Sequence, residues 1–471
     1  MSDASVEVPA SAVPCAGCHG RDGKGRPEGG LSPSDLTWTT LTRPYGVTSP
    51  SGRKHPPYDA KLLKRAISLG LDPAGNPLHV AMPRFRMSLK DMDDLLAYLQ
   101  QLGTESDPGV GGGSLRVGVI LPPAGPLSGM GKALRAALTA RFDALNKEGG
   151  IYGRQVEPRF LEAPGPPEQR RAWTADFLQR EEVFAGVAAF LAGADAELAG
   201  LFQEKRIPLV GPFTVHPRET FPLNRYVFYL LPGGEIQGQA LARFIRVQAA
   251  GKPVKAAVVA PEEAGLNGAV EAIRKAAAGW PAPAVVRYGR QGVESEAVSR
   301  LAAAKLDPVF FFGSGPEARS FLQAADRLGW RPRILATGTA ADGSLFGSPA
   351  AFDGRIYLAL PSPPGDPAPQ AAADYRALAA TYKLPQDSLS AQLSALAAAE
   401  TLIEALKRAG RDLSREKLVD QLESLRAFQT GLAPPLTYGP TRRLGARGAY
   451  VMRLDLKGKR LVPEGGWVEV E

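Results

Sequence analysis

The stretch SLRVGVILP, residues 114–122, decides the fold of most of the chain. An apolar run with β-branched residues that closes on a proline reads as a strand buried on both faces. From Gly131 to Lys147 the apolar spacing turns helical, and it stops at Glu148, Gly149 and Gly150, where glycine ends a helix. The alternation then continues. Strand-like runs recur at VFAGVAAFL (183–191), RIPLVGPF (206–213), NRYVFYLLP (224–232), KAAVVAP (255–261), DPVFFFGSG (307–315) and GRIYLALP (354–361), mostly separated by helix-length segments. Strand, helix and strand repeated in this way predicts parallel sheets covered by helices on both faces. The stretch is too long for one core, so two doubly wound lobes are expected. Long helices are expected at Ala368–Tyr382 and Ser388–Ala409, and a closing strand pair that turns at Lys457 and Gly458.

Upstream, GTESDPGVGGGS (103–114) replaces apolar periodicity with Gly, Ser and Pro and reads as a flexible linker. It divides the chain into residues 1–103, a linker at 104–114 and a large body at 115–471. Hydrophobic residues make up 44% and charged residues 22% of the chain, and no apolar run reaches the roughly 18 residues that crossing a bilayer needs. Residues 1–107 balance 12 Lys and Arg against 12 Asp and Glu, so the net charge of +8 lies spread over the other 364 residues. Without a basic cluster interleaved with aromatics, nucleic-acid binding is not expected. The N-terminus MSDASVEVPASAVP has neither a charged n-region nor an apolar h-region, so no export signal is read there.

Both cysteines of the chain lie in VPCAGCHGRDGKG, residues 13–25. Two cysteines separated by two residues serve a redox dithiol, half a zinc site or a haem attachment, and His19 behind Cys18 favours the last. One helical turn separates Cys15 from Cys18, which suits two thioether bonds to a haem, with His19 as axial ligand. Zinc would need two more ligands, and only His55, His79 and His216 remain. A plain disulfide is the bland alternative. A sixth iron ligand is expected in HVAMPRFRMSLKDMDDLLAYLQQLG (79–103), where Met82 precedes Pro83 in an extended strap. Ser88 is expected to cap a helix carrying Met92, Leu95, Leu96, Leu99 and Leu102 at helical spacing.

On Cys15, Cys18, His19 and Gly20, on Met82 with Pro83, and on the closing DLLAYLQQLG, the region 13–103 resembles class I cytochrome c. The resemblance implies a small all-α domain with one covalent haem c, His19 as proximal and Met82 as distal ligand. Met87 and Met92 are fallbacks, the latter more at home in a core, and a bis-histidine site would use His55 or His79, otherwise loop histidines at the surface. Such a domain passes single electrons to a redox partner protein, and the family matures outside the cytoplasm. A periplasmic location follows, the chain being a mature or trimmed form.

From residues 115–162, with further matches at 206–217, 225–245 and 307–325, the large body resembles a type I periplasmic binding protein of the branched-chain amino acid receptor group. The resemblance implies two α/β lobes joined by three crossovers and a small-molecule ligand in the cleft between them, with an ABC permease as a partner. Receptors of this group present a Ser to the ligand carboxylate where this chain has Ala192; the polar position after PLVGP is Thr214, and a flanking Tyr is replaced by Ala264. A buried zwitterion with missing partners is costly, so ordinary α-amino acids are disfavoured. Ser128, Met130 and Phe190 complete the expected cleft set. Ser128, Ser314 and His216 form no nucleophile and base pair, so no enzyme activity is expected. Electron transfer ranks first, and a solute receptor for uptake or sensing, with the haem as redox sensor, second.

Overall fold

The computed structural model describes residues 8–470 apart from 21, 26–29, 50, 51, 103–105, 215, 220, 263–266, 290 and 363–367. The chain divides into two compact units, Met1–Val110 with Asp412–Lys417, and Gly111–Arg411 with Leu418–Glu471.

The small unit holds α1 (Cys15–His19), α2 (Trp38–Leu41), the short antiparallel pair β1 (Val47–Thr48) and β2 (Lys54–His55), α3 (Ala60–Leu69) and α4 (Leu89–Gln101). Asp59 caps α3 by accepting from Leu62 N at 2.7 Å, and Ser88 caps α4 by accepting from Asp91 N at 3.1 Å. Helical spacing then turns Leu63, Ala66 and Ile67 of α3 against Met92, Leu96 and Leu99 of α4, with Leu41 and Tyr58 closing the core. Helix α4 packs on α2 and α3 rather than mainly on α1; its end reaches the turn after α1 through Leu102. That is a small core for a unit of this size.

The large unit begins with β3 (Ser114–Leu121), α5 (Ser128–Lys147), β4 (Gln155–Glu162), α6 (Pro167–Arg180), β5 (Ala185–Val187), α7 (Asp195–Lys205), β6 (Leu209–Val210) and β7 (Val227–Phe228). These strands form a parallel sheet in the order β4-β3-β5-β6-β7. The second lobe follows with α8 (Gly234–Gln248), β8 (Ala257–Pro261), α9 (Asn267–Ala276), β9 (Ala284–Tyr288), α10 (Ser295–Ala303), β10 (Val309–Phe311), α11 (Gly315–Arg327), β11 (Ile334–Thr337) and β12 (Ile356–Leu360). The chain returns to the first lobe with α12 (Pro369–Tyr382), α13 (Leu389–Ala409) and α14 (Arg415–Glu423), α13 packing on α5, β5 and β6, and it finishes on the second with β13 (Gly448–Asp455) and β14 (Arg460–Glu469).

Alternating side chains explain the double layer. Ala257, Val259, Val309 and Phe311 turn to α10 and α11, whereas Val258, Phe310 and Leu335 turn to α8 and α9. The runs are apolar throughout because both faces are covered.

Several boundaries differ from the sequence reading. Helix α5 starts at Ser128, three residues before Gly131, since the turn Gly125–Ser128 already closes with Ser128 N donating to Gly125 O at 3.0 Å. The seven-stranded sheet is mixed, because β13 runs antiparallel to β12 and β14 antiparallel to β13, so that β13 alone opposes the direction of the other strands. In the linker, Ser114 already belongs to β3, and Asp107–Val110 form a turn in which Val110 N donates to Asp107 O at 3.0 Å. Glycine content marks a turn as readily as a flexible tether.

Candidate functional site

Helix α1 is a single turn that follows Pro14, and its i, i+3 spacing puts Cys15 and Cys18 on one side of it. Both thiols are exposed and unpaired with each other, so the disulfide reading is not what the structure holds. Behind them the chain folds back so that His19 Nδ1–H donates to Ser34 O at 2.8 Å. Glycine makes that return possible. Gly25 sits at φ +81°, its N–H donates to His19 O at 2.7 Å, and a Cβ there would lie 2.3 Å from Pro33 O. The same turn carries Gly23, whose O accepts from Leu36 N at 2.7 Å. Asp35 finishes the return by accepting from Thr37 N at 2.8 Å and from Thr40 Oγ1 at 3.0 Å.

Burial pulls the His19 imidazole below its usual range, against the opposing effect of the Ser34 carbonyl. The ring is therefore neutral at neutral pH, its proton fixed on Nδ1 and its Nε2 lone pair left for a metal.

Met82 is half-buried at a bend that closes the turn from His79, where the sequence reading expected an extended strap. Leu78 N donates to Gly70 O at 2.7 Å and Phe85 N to Ile67 O at 3.1 Å, tying both ends of the strap to α3. Between them Met82 N donates to His79 O at 3.0 Å, and Arg84 donates to the carbonyls of Met82 and Leu78. Met92 lies inside the apolar core and Met87 packs against it. His79 is exposed, its Nδ1 accepting from Ala81 N at 3.2 Å. His55, expected at the surface, is instead 8% exposed, its ring edge-on to Tyr58 at 4.9 Å and its Nδ1 donating to Pro56 O at 2.8 Å. Lodged in that way, it lines an open groove of about 700 Å³ with Arg43, Tyr45, Val47 and Lys54, whose lining does not include Cys15, His19 or Met82.

Two unpaired thiols one turn apart, with an imidazole directly behind them, suit a covalently held haem, and Met82 offers a thioether of the kind that ligates its iron. They do not suit zinc. Among the described residues no three His, Cys, Asp or Glu side chains converge on a metal position.

In the large unit the candidate residues gather on the first lobe, where the strands end and α5 and α7 begin. Ser128 is exposed at the start of α5 and Met130 is half-buried two residues on. Phe190, 9% exposed, bridges to Phe213, and Ala192 follows half-buried, its N–H donating to Phe213 O at 3.3 Å. Thr214 Oγ1 donates to Asp195 Oδ1 and accepts from His216 N at 2.9 Å. Ala264 lies outside the described residues.

Two side chains here were not anticipated. Asp195, the first residue of α7, accepts from Gly193 N at 3.0 Å through its other oxygen. Arg170 of α6 is 5% exposed and donates to Phe190 O and Ala192 O, both at 2.8 Å, its guanidinium 5.7 Å from the Phe190 ring centre. Burial lowers the Arg170 pKa and the Asp195 charge opposes that fall. An Asp at a helix start is a readable signal. Arg170 in PEQRRAW carries none, because its partners lie some 20 residues away in sequence.

On the second lobe the strand ends are tied internally. Gln237 accepts from Gly338 N at 2.7 Å and donates to Pro232 O at 2.9 Å, Tyr288 OH donates to Phe312 O at 3.1 Å, and Ser314 forms a capping box with Glu317. The crossover at Leu230–Gly233 meets the returning strand segment where Tyr229 N donates to Arg443 O and Ala446 N to Leu230 O.

The family described as periplasmic binding protein matches residues 114–460, and the family described as cytochrome c matches residues 11–103. A Leu/Ile/Val-binding protein of Rhizobium johnstonii is 24% identical over 332 residues, which is 69% of this chain and 88% of that protein. A leucine-, isoleucine-, valine-, threonine- and alanine-binding protein of Pseudomonas aeruginosa is 21% identical over 51% of this chain and 68% of its own length. Among solved structures, a branched-chain amino acid ABC transporter protein of Thermus thermophilus with bound valine aligns with a TM-score of 0.60 at 20% identity, covering 76% of this chain and 97% of that one. A fatty acid ABC transporter substrate-binding protein of Thermomonospora curvata aligns with a TM-score of 0.62 at 19% identity, covering 78% and 95%. With two α/β lobes behind a helical unit that carries Cys15, Cys18 and His19, the chain belongs to the periplasmic binding protein family and bears a cytochrome c domain, with the covalently bound haem such a domain implies, at its N-terminal end.

Proposed function

We propose that this protein is a periplasmic single-electron carrier fused to a small-molecule-binding body. One observation carries the reading: His19 gives its Nδ1 proton to Ser34 O and leaves Nε2 open, directly beside two exposed and unpaired thiols. Cys15 and Cys18 would hold one haem covalently, and His19 and Met82 would ligate its iron. Bound there, the group would supply a one-electron couple, and a Met with a His as its ligands would give a higher potential than two histidines. The protein's part is to fix the His19 tautomer, to hold the strap of Met82 and to shield both in an apolar unit. No catalytic role is assigned to any residue, and the redox partner is a second protein.

The test is expression of an exported form with the haem-maturation machinery. The expected product is coloured, heavier by one covalent macrocycle and capable of a reversible one-electron couple, with the colour lost in Cys15→Ser/Cys18→Ser. A colourless product of unchanged mass overturns the reading.

A second reading, a solute receptor working with an ABC permease, is favoured by the two-lobed body with its internal crossovers, a fold that closes on small ligands. Ligand-induced thermal stabilisation of the large unit would support it.

A further inference from the structure

The segment that carries Met82 is tied to α3 at Leu78 N and at Phe85 N, and the bend between those ties is held by other means. Met82 N donates to His79 O at 3.0 Å, but among the described residues no backbone N–H donates to Met82 O. A side chain serves that carbonyl instead. Arg84 donates through Nη1 to Met82 O and through Nη2 to Leu78 O at 3.3 Å, so one planar guanidinium spans two carbonyls on either side of the bend. Gly70 makes room for it. It ends α3 at φ +69°, and a Cβ there would lie 1.8 Å from Arg84 Nε and 2.0 Å from Arg84 Cζ, so a larger residue would displace the guanidinium. Arg84 is exposed, and among the described residues no carboxylate pairs with it. Its removal therefore opens no buried cavity and orphans no charge; what goes is the hold on the bend.

We infer that Arg84 is the positioning residue for Met82: seated on Gly70, its guanidinium locks the bend, keeps the thioether available to the iron and holds off competing ligands. The inference rests on the reading of His19 and Met82 as the iron ligands, and it adds the residue that controls how often the second lets go. A ligand from solution can replace Met82 only while the bend is released, so its apparent affinity scales with the released fraction.

The test titrates imidazole, followed by absorbance, into the full haem-loaded chain in its ferric form. Arg84→Ala is expected to bind imidazole about tenfold more tightly than the unsubstituted protein, the scale of one hydrogen bond from a charged donor. Gly70→Ala keeps Arg84 but pushes it off its seat, and is expected to shift the affinity the same way. Arg84→Lys replaces a fork by a point donor and is expected to fall between Arg84→Ala and the unsubstituted protein. Ser88→Ala weakens the cap of α4 in the same unit, and is expected to lower the thermal midpoint without moving imidazole affinity. Met82→Ala sets the tightest limit. Affinity unchanged in Arg84→Ala while Met82→Ala binds more tightly overturns the inference and leaves Met82 as a ligand. A shift in Ser88→Ala as large as that in Arg84→Ala also overturns it, since lost stability alone would then account for both. Affinity unchanged in Met82→Ala overturns the ligand reading, and the inference with it.

Discussion

The donors around His19 and the donors around Asp195 are handled in opposite ways. In the small unit the groups with coordinating power are held in place by their neighbours and left open: two free thiols, and an imidazole fixed through its Nδ1 by Ser34 O. In the first lobe of the large unit, Gly193 N and Thr214 Oγ1 donate to Asp195, and Arg170 donates to the carbonyls of Phe190 and Ala192. The first arrangement is completed by a group the polypeptide does not supply. The second is satisfied by groups of the chain itself. Stability follows the same division. Among the described residues the small unit has eight buried apolar residues in its core, whereas the large one builds continuous layers on both faces of its sheets.

The sharpest way to break this comparison is to remove the covalent link. Cys15→Ser/Cys18→Ser in the full chain is expected to abolish the thermal transition of the small unit in calorimetry while that of the large unit persists. Retention of both transitions at unchanged midpoints would show that the small core stands without haem.

Next in size is Arg443→Ala in the large unit. Arg443 is 1% exposed, donates to Glu423 Oε1 at 2.6 Å and to Arg225 O at 3.0 Å, and lies over the Phe228 ring at 4.6 Å. Its loss takes from the half-buried Glu423 the closer of two cations, Arg225 remaining at 4.0 Å, and empties a packed position over Phe228, so chemical denaturation is expected to show a cost of about 3 kcal/mol confined to the large unit.

The counterpart in the small unit is Asp72, fully enclosed and paired with Arg53 at 2.6 Å. Burial alone would raise its carboxyl; the hydrogen bonds from Asn76 and Arg53 together outweigh that and hold it below the usual carboxylate range. A folded-state pKa depressed in this way contributes stability that is present above the unfolded value, near 3.9, and is lost as pH falls through the folded one. The midpoint of the small unit is therefore expected to drop between about pH 5 and pH 2, and Asp72→Asn to be less stable at pH 7 but flatter across that window. An unchanged slope in the variant would remove Asp72 from the account.

The smallest effect sharpens rather than breaks. Ser88→Ala deprives Asp91 N of its acceptor at the start of α4, with an expected loss of about 1 kcal/mol from the small unit and none from the large one.

Much of this organisation was legible residue by residue. The cap at Ser88, the burial of Met92, Leu96 and Leu99, and the strands at Ala257–Pro261, Val309–Phe311 and Ile356–Leu360 all follow from spacing and composition. His55 was not, because its burial depends on Tyr58 and on a strand pair two residues long, too short to leave a period. Arg170 was not, because a guanidinium on an amphipathic helix looks solvated until the loop it holds is folded beneath it.

By itself, then, the sequence determined the alternation of strand and helix, the division into two units and the thiol, thiol, imidazole order at residues 15–19, since each is a property of neighbouring residues and their backbone period. The tertiary structure alone decided that Ser34 fixes the His19 proton, and that Asp195 claims Gly193 and Thr214. Hydrogen-bond partners across a fold are chosen by packing, which brings together groups that no local pattern relates.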